Sequence, residues 1–383
     1  MAKVIIVGCG IAGPVLALLL KQKGFDPVVY ERGPRAPDAG LSLMLQSNGL
    51  KVLDLIPGLV DRLPGRAIEQ TRLFSILPSD LRLLAQSESV TEKGKVSKMG
   101  VNRPKLLALL SDVLEEHGIP VHFDTAVIDV ELSLADDVVV HLSNGTIDSA
   151  PLVIGCDGLH SAVRKSLFGE QKPVFTGLTQ TGGVTTNAFP GIPPTMHNFY
   201  GDNLHVIAYP ISDSGDYSWA ITERGPEAKE TWRAMDQEAQ NAFKTGPFSS
   251  LPLGVGQLLE KAQKITKYGL YDRPALSSWH QGRVLLIGDA AHPTSPHLGQ
   301  GANQAFEDVS LLSNLLDASD LSLATLSSAF SSFEAERMTR TAELVNAARE
   351  AGELRVVAGE EAARQRNEKI SASRREWGGI PAA

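Results

Sequence analysis

Six residues near the amino end, Gly8-Cys9-Gly10-Ile11-Ala12-Gly13, have the types and spacing to hold a dinucleotide. They follow a β-branched run, Lys3 to Val7, and precede an apolar stretch with helical pattern, Pro14 to Gln22. Glycines at such a turn let the backbone approach a ligand closely, and the free N–H groups of the following helix face a pyrophosphate. A second strand, Asp26 to Tyr30, ends at Glu31, whose carboxylate can accept hydrogen bonds from ribose hydroxyls. An acid at that point argues against a 2′-phosphate, so the site suits FAD or NAD rather than NADP. The expected contacts here are Gly8, Gly10, Ala12, Gly13, Glu31 and Arg32.

Two later motifs choose between those cofactors. Gly155-Cys156-Asp157-Gly158-Leu159-His160-Ser161-Ala162-Val163-Arg164 follows an apolar strand, and Gly288-Asp289-Ala290-Ala291-His292-Pro293 follows another. The second motif continues through Pro296-His297-Leu298-Gly299-Gln300-Gly301-Ala302-Asn303 into Glu307-Asp308. In order and spacing the three motifs resemble those of the class A, single-component FAD-dependent monooxygenases, the aromatic hydroxylase family of salicylate and para-hydroxybenzoate hydroxylases. The resemblance runs from Lys3 to about Arg340. It implies tightly but non-covalently bound FAD, NAD(P)H as a transient co-substrate, and O2. Asp289 would accept from a flavin ribityl hydroxyl. Gly299, Gly301, Ala302 and Asn303 would turn a helix N-terminus toward the flavin ring that becomes anionic on reduction. Gly288, Asp157 and Gly158 complete the cofactor set, Asp157 also serving NAD(P)H handling. Arg103 matches the family arginine that contacts FAD, and Arg35 resembles another.

These motifs require elements to position them. The strand and helix signals around Gly8 make a βαβ unit, and Leu152 to Ile154 and Arg283 to Ile287 read as further buried strands of the same sheet. Gln70 to Leu77 and Leu81 to Gln86 read as a hairpin, Ser87 to Lys98 as a loop, and Leu106 to His117 as a helix. From 173 to 223 the texture turns to Thr, Gly, Pro and aromatics with strand alternation, after which Glu227 to Thr245 reads as a helix. The predicted fold is α/β: a Rossmann-like FAD-binding domain of glutathione-reductase type with an inserted β-sheet substrate domain and C-terminal helices, para-hydroxybenzoate-hydroxylase-like. Its expected division is 1-170 with 273-340 for the cofactor, 171-272 for the substrate with the 66-98 hairpin and loop on the substrate side, and 341-383 as a helical segment. Glu334 to Arg375, rich in Ala, Glu and Arg, reads as a solvated helical face, the alternative being a dimer contact.

The 383 residues are enough for two or three units with substantial cores. Lys and Arg number 36 against 44 Asp and Glu, a formal charge of -8, which gives no general attraction to nucleic acid or an anionic membrane surface. The two cysteines, Cys9 and Cys156, form no C-x-x-C pattern, and a reducing cytoplasmic setting is the expectation, without a membrane segment and as a monomer or homodimer. His292 and His297 do not complete a metal site, because prolines 293 and 296 break any helix between them and no acid or thiol set joins them.

Through the resemblance the expected reaction is transfer of oxygen from a C4a-hydroperoxyflavin to a phenolic or hydroxybenzoate-like ring. An alkene epoxidase and a non-oxygenating FAD reductase are the alternatives. On the substrate side the candidates are His205, for phenol deprotonation, Tyr209 before Pro210, and Pro296, with rings also at Tyr200, Tyr217 and Trp219. Between Pro173 and Glu223 there is no Lys or Arg, so a carboxylate bound by that segment lacks a partner there, and Arg72 or Arg82 would have to supply the charge.

Overall fold

The computed structural model describes residues 1–35, 40–89, 96–132, 137–228 and 234–373. In chain order it runs β1 (Ala2–Val7), α1 (Ala12–Gln22), β2 (Phe25–Tyr30), β3 (Ser42–Gln46), α2 (Ser47–Leu53), β4 (Gly65–Ala67), β5 (Gln70–Leu77), β6 (Asp80–Glu88), β7 (Lys98–Asn102) and α3 (Arg103–Glu116). Then come β8 (Val121–His122), β9 (Val127–Leu132), β10 (Val138–Leu142), β11 (Ile147–Ala150), β12 (Val153–Gly155) and α4 (Ala162–Phe168). The middle of the chain gives β13 (Val174–Thr185), β14 (Thr195–Gly201), β15 (Leu204–Pro210), β16 (Tyr217–Arg224), α5 (Gln237–Thr245), α6 (Val255–Glu260) and β17 (Lys264–Asp272). It ends with β18 (His280–Gln281), β19 (Val284–Leu286), α7 (Gly301–Leu315), α8 (Leu323–Arg355) and α9 (Glu360–Ala372).

Two sheets dominate. The first has the order β18-β19-β12-β1-β2-β8. Its inner strands are parallel, and their apolar residues (Val4, Ile5 and Ile6 on β1, Val153 and Ile154 on β12) are fully buried, as a sheet covered on both faces demands. α1 is buried from Ala12 to Leu20, so this helix is sandwiched rather than amphipathic. The second sheet has the order β17-β13-β16-β15-β14-β5-β6. Alternation sends Phe199, Val206, Ala208, Tyr217, Trp219 and Ile221 to one face, where they form a core with Val255, Leu258 and Leu259 of α6. The opposite face is polar and turns toward α8.

Several expectations change. The helix foreseen over Glu227 to Thr245 is observed only from Gln237, because the Asp236 side chain accepts from the Ala239 N–H and caps it there, while Met235 N–H donates to the Ile265 carbonyl of β17; residues 229–233 lie outside the described set. The loop foreseen from Ser87 begins later, since β6 pairs with β5 as far as Glu88 opposite Gln70, and residues 90–95 lie outside the described set. The β5–β6 hairpin joins the second sheet through parallel pairing of β5 with β14.

The C-terminal stretch is a solvated face on one side only. Arg337, Thr341, Ala348 and Gly352 of α8 and Ala363, Arg366, Asn367 and Ile370 of α9 are buried against the rest of the chain. Charged composition concealed this, because the buried arginines are hydrogen-bonded rather than solvated. The long helix also breaks between Val356 and Gly359, whose φ of 94° ends regular helix and starts α9. Residues 374–383 lie outside the described set.

Candidate cofactor and substrate site

β1 delivers the first glycine loop to the edge of the parallel sheet. Gly8 has φ 104°, and a Cβ there would sit 2.6 Å from the Cys156 carbonyl oxygen, so the Gly8 loop and the Asp157 motif are packed backbone to backbone. A Cβ on Gly13 would lie 2.0 Å from the Gly8 carbonyl, which keeps α1 tight against the turn. Glu31 leaves β2 beside this loop: Cys9 N–H donates to its Oε2 at 2.7 Å and Gly33 N–H to its Oε1 at 2.8 Å. Gly10 and Ala12 lie in the same turn and at the head of α1, whereas Arg32 is exposed on the outer side of the strand exit.

The third motif meets this loop through small residues. A Cβ on Gly288 would lie 3.2 Å from Ala305 Cβ of α7 and 4.0 Å from Ala12 Cβ of α1. Asp289 is exposed to solvent yet closely surrounded by protein, as a residue on the floor of a recess must be. Crowding raises its carboxyl above the ordinary range, with Asp308 adding to the shift and His292 and Arg103 opposing it. Its Oδ1 is 3.9 Å from where a Gly301 Cβ would stand, so the acid and the N-terminus of α7 converge. Arg103, at the start of α3, packs its side chain against Gly40 and has its guanidinium drawn down by burial, opposed by Asp289 and Tyr268. A glycine cradle at two helix N-termini, an acid beside it, an acid on the floor and an arginine near that acid are the donor set that FAD requires. The residues present fit the group.

Other expected contacts have different roles in the structure. The Asp157 carboxylate accepts from Ser161 Oγ at 2.6 Å, Ala162 N–H at 2.7 Å and Val163 N–H at 3.2 Å, so it caps α4, while Gly158 follows it in a left-handed conformation. Asn303 is fully buried. Its Oδ1 accepts from Gln46 N–H and its Nδ2 donates to the Met44 and Gly299 carbonyls, which ties α7 to β3, leaving Gly301 and Ala302 half-buried at the helix start. Arg35 is held by Asp112 and Glu115 of α3. Pro296 is exposed at the start of a short 3-10 turn. Both thiols are kept protonated, Cys9 pushed up to about 12 by burial and the Glu31 charge against an opposing Ser111, and Cys156 raised by burial. Among the described residues no three His, Cys, Asp or Glu side chains gather as a metal site.

Sequence reading passed over what holds the Gly288 loop. Asp308 of α7 accepts from Gly288 N–H at 2.8 Å, from His292 Nε2 at 2.6 Å and from Arg337 Nε at 2.7 Å, while Arg337 Nη1 donates to Glu307 at 2.6 Å. Arg164 completes the clamp by donating to the Ala290 and Ala291 carbonyls. Asp308 had been read only as the tail of a motif, and nothing local to Arg337 marks it, since it arrives from α8.

Strand register lays out the polar face of the second sheet, where the substrate is expected, in rows. Tyr200, His205, Thr222, Gln180 and Tyr268 stand opposite one another across five strands. Tyr268 donates to Gln180 Oε1 and Gln180 Nε2 to Thr222 Oγ1. The next row is Asn198, Ile207, Ala220, Gly182 and Thr266, and its centre, Ile207 and Ala220, is only half-covered. The third row holds Tyr209, Ser218 and Val184. Here Ser42 of β3 joins the sheets, with Oγ 2.7 Å from the Tyr209 hydroxyl and 2.6 Å from Ser218 Oγ. Tyr217 and Trp219, expected as substrate rings, belong to the opposite, apolar face. The pairing of Tyr209 with Ser218 sets them there.

Comparisons with known proteins agree with this geometry. Residues 1–348 match the FAD binding domain family. The chain is 32% identical to 3-amino-4-hydroxybenzoate 2-monooxygenase PtmB3 of Streptomyces platensis over 91% of this chain and 87% of that one. It is 30% identical to 6-hydroxynicotinate 3-monooxygenase of Pseudomonas fluorescens over 89% of each. In fold it is similar to Klebsiella pneumoniae HpxO, solved with FAD and uric acid, with a TM-score of 0.82 at 24% identity, covering 97% of this chain and 93% of that one. No helix among the described residues is long and apolar enough to cross a membrane. The glycine cradle, the acid at the recess floor and these likenesses together place the chain in the FAD binding domain family, as an FAD-dependent monooxygenase of the aromatic hydroxylase group.

Proposed function

We propose that the protein hydroxylates a phenolic or hydroxybenzoate-like small molecule, taking two electrons from NAD(P)H. One atom of O2 enters the ring in place of a hydrogen and the other leaves as water. Bound FAD would supply the reduction of O2 and the electrophilic oxygen. The observation that carries this reading is the half-open centre of a polar sheet face, joined through Ser42 and Tyr209 to the unit that carries the cofactor cradle. The named substrates of the relatives, an aminohydroxybenzoate and a hydroxynicotinate, support it.

In this reading residues 1-170 and 273-340 hold FAD through Gly8, Gly10, Ala12, Gly13, Glu31, Arg103, Asp289, Gly301 and Ala302, and 171-272 with the β5–β6 hairpin hold the substrate. Asp157 and Asn303 fix the two helices. Ile207 and Ala220 form an apolar floor that keeps water from the ring, with the hydroxyl of Tyr209 at one end. Burial, with nearby Arg355, His297 and Arg366, drives His205 well below its ordinary range. A neutral imidazole of that kind is a poor proton store, so its part is hydrogen bonding. The two free cysteines suit a reducing compartment.

The test follows NAD(P)H oxidation, oxygen uptake and peroxide release by the flavin-loaded protein with a panel of phenols and hydroxybenzoates. A phenol that accelerates NAD(P)H oxidation with matching oxygen uptake and little peroxide supports the reading. NAD(P)H oxidation without oxygen uptake overturns it.

A further inference from the structure

α8 places its arginines differently from one another. Arg337 is paired with Asp308 and Glu307, Arg340 with Glu307, and Arg349 with Asp272. Arg355, the last residue of the helix, has no carboxylate partner among the described residues, and its Nε is buried without a hydrogen-bond partner. It is half-buried and lies beside Tyr200 and His205, with Nη1 3.5 Å from His297 Nδ1. A guanidinium stays charged, and a charge partly withdrawn from water without a counter-ion is costly.

The surroundings hold it in place, and the nearby Asp202 acts on Arg366 and caps Gly359. His297 packs its ring over Gly352, where a Cβ would stand 2.5 Å from Nε2, so the 3-10 turn lies directly under α8. Arg366 of α9 donates to the Arg355 carbonyl at 2.9 Å and to the Gly201 carbonyl at 2.8 Å, and Asn367 donates to Ser75 Oγ at 2.8 Å, which fastens the end of α8 to the sheet. His205 is fully buried, with Nε2 3.2 Å from Asn198 Oδ1 and Nδ1 without a partner. It shares a sheet face with the open Ile207 two residues along, a step of about 7 Å. Arg355 therefore stands beside the Tyr200–His205 row, which adjoins Ile207 and Ala220 on the same face, and no described carboxylate pairs with it.

We propose that Arg355 anchors the carboxylate of an aromatic acid lying across Ile207 and Ala220, so that selectivity for acids comes from the C-terminal helix and not from the sheet. The inference rests on the hydroxylase reading above. Its test is titration of the flavin-loaded protein with hydroxybenzoates and the matched hydroxybenzamides, read by the change in flavin absorbance, in wild type, Arg355→Met and Arg355→Lys. Arg355→Met is expected to weaken the acids by roughly 10- to 100-fold, the range for a hydrogen bond to a charged group, and to leave the amides unchanged. Arg355→Lys restores part of the loss. Flavin content and thermal midpoint of both variants report the fold. Equal losses for acid and amide, no loss at all, or a wild type that binds amides as tightly as acids overturns the anchor while the hydroxylase reading stands. A wild type that binds neither and is stimulated by no phenol overturns both.

Discussion

The clamp around Asp308 and the cluster around Arg355 are both buried, both charged and both built partly from α8, yet they are finished differently. In the first, acid and base meet inside the chain: Asp308 receives Gly288, His292 and Arg337, and Arg337 also meets Glu307, with Arg164 held by carbonyl and amide oxygens alone. In the second, Arg355 Nε and His205 Nδ1 have no partner among the described residues. A network satisfied internally fixes geometry, here the loop that carries Asp289. A network left one charge short is stable enough to fold and favours whatever brings the missing charge. The same helix thus supplies a structural cation at Arg337 and a recognition cation at Arg355.

The largest expected effect comes from breaking the satisfied side. Asp308→Asn leaves Arg337 short of a buried anion and is expected to destabilise the protein by about 3–5 kcal/mol, measured by denaturant unfolding. The pH dependence sharpens this. Burial alone pushes the Asp308 carboxyl up, but His292, Arg337 and the Gly288 N–H together hold it below its ordinary value. Its stabilisation is complete above the unfolded value of about 3.9 and is lost as pH falls through the lower folded value. Wild type is therefore expected to lose stability below about pH 4 more steeply than Asp308→Asn, which has no such proton to take up.

Gly8→Ala strikes the cofactor cradle. The left-handed φ and a Cβ 2.6 Å from a carbonyl oxygen are expected to cost about 2–4 kcal/mol, seen as flavin lost from the purified protein. Arg355→Met is smaller and selective, falling on acids and sparing amides. Smallest is Tyr209→Phe, which removes the hydroxyl beside Ser42 and is expected to cost about 1 kcal/mol of stability while keeping the acid-over-amide preference. Loss of that preference in Tyr209→Phe would place the anion site at the wrong end of the sheet face.

The cofactor half was legible because its determinants are local. A glycine turn, the strand before it and the helix after it lie within Ala2 to Gln22, and each of the three motifs announces itself by strand, glycine and acid in sequence. The roles of Asp157 and Asn303 were less legible, since a polar residue in a motif can face the ligand or the backbone, and here their hydrogen bonds go to α4 and to β3. In the second sheet alternation separates neighbours along β15 and along β16, but the pairing of Tyr209 with Ser218 was needed to set Tyr217 and Trp219 on the other face. Alternation could not say which strands stand beside them, so Gln180, Asn198, Thr222 and Tyr268 went unremarked.

By itself, then, the sequence determined the α/β class, the FAD cradle and the absence of Lys and Arg between Pro173 and Glu223, all readable within short windows of chain. Only the tertiary structure decided that Arg337 would lock the Asp289 loop and that Arg355 would stand over the sheet. The reason is separation: Arg337 lies 29 residues from Asp308, Arg355 lies 58 from His297, and α9 returns to Gly201 across 165. No local pattern encodes such meetings, which depend on where a long helix ends once its apolar and polar faces have found their partners.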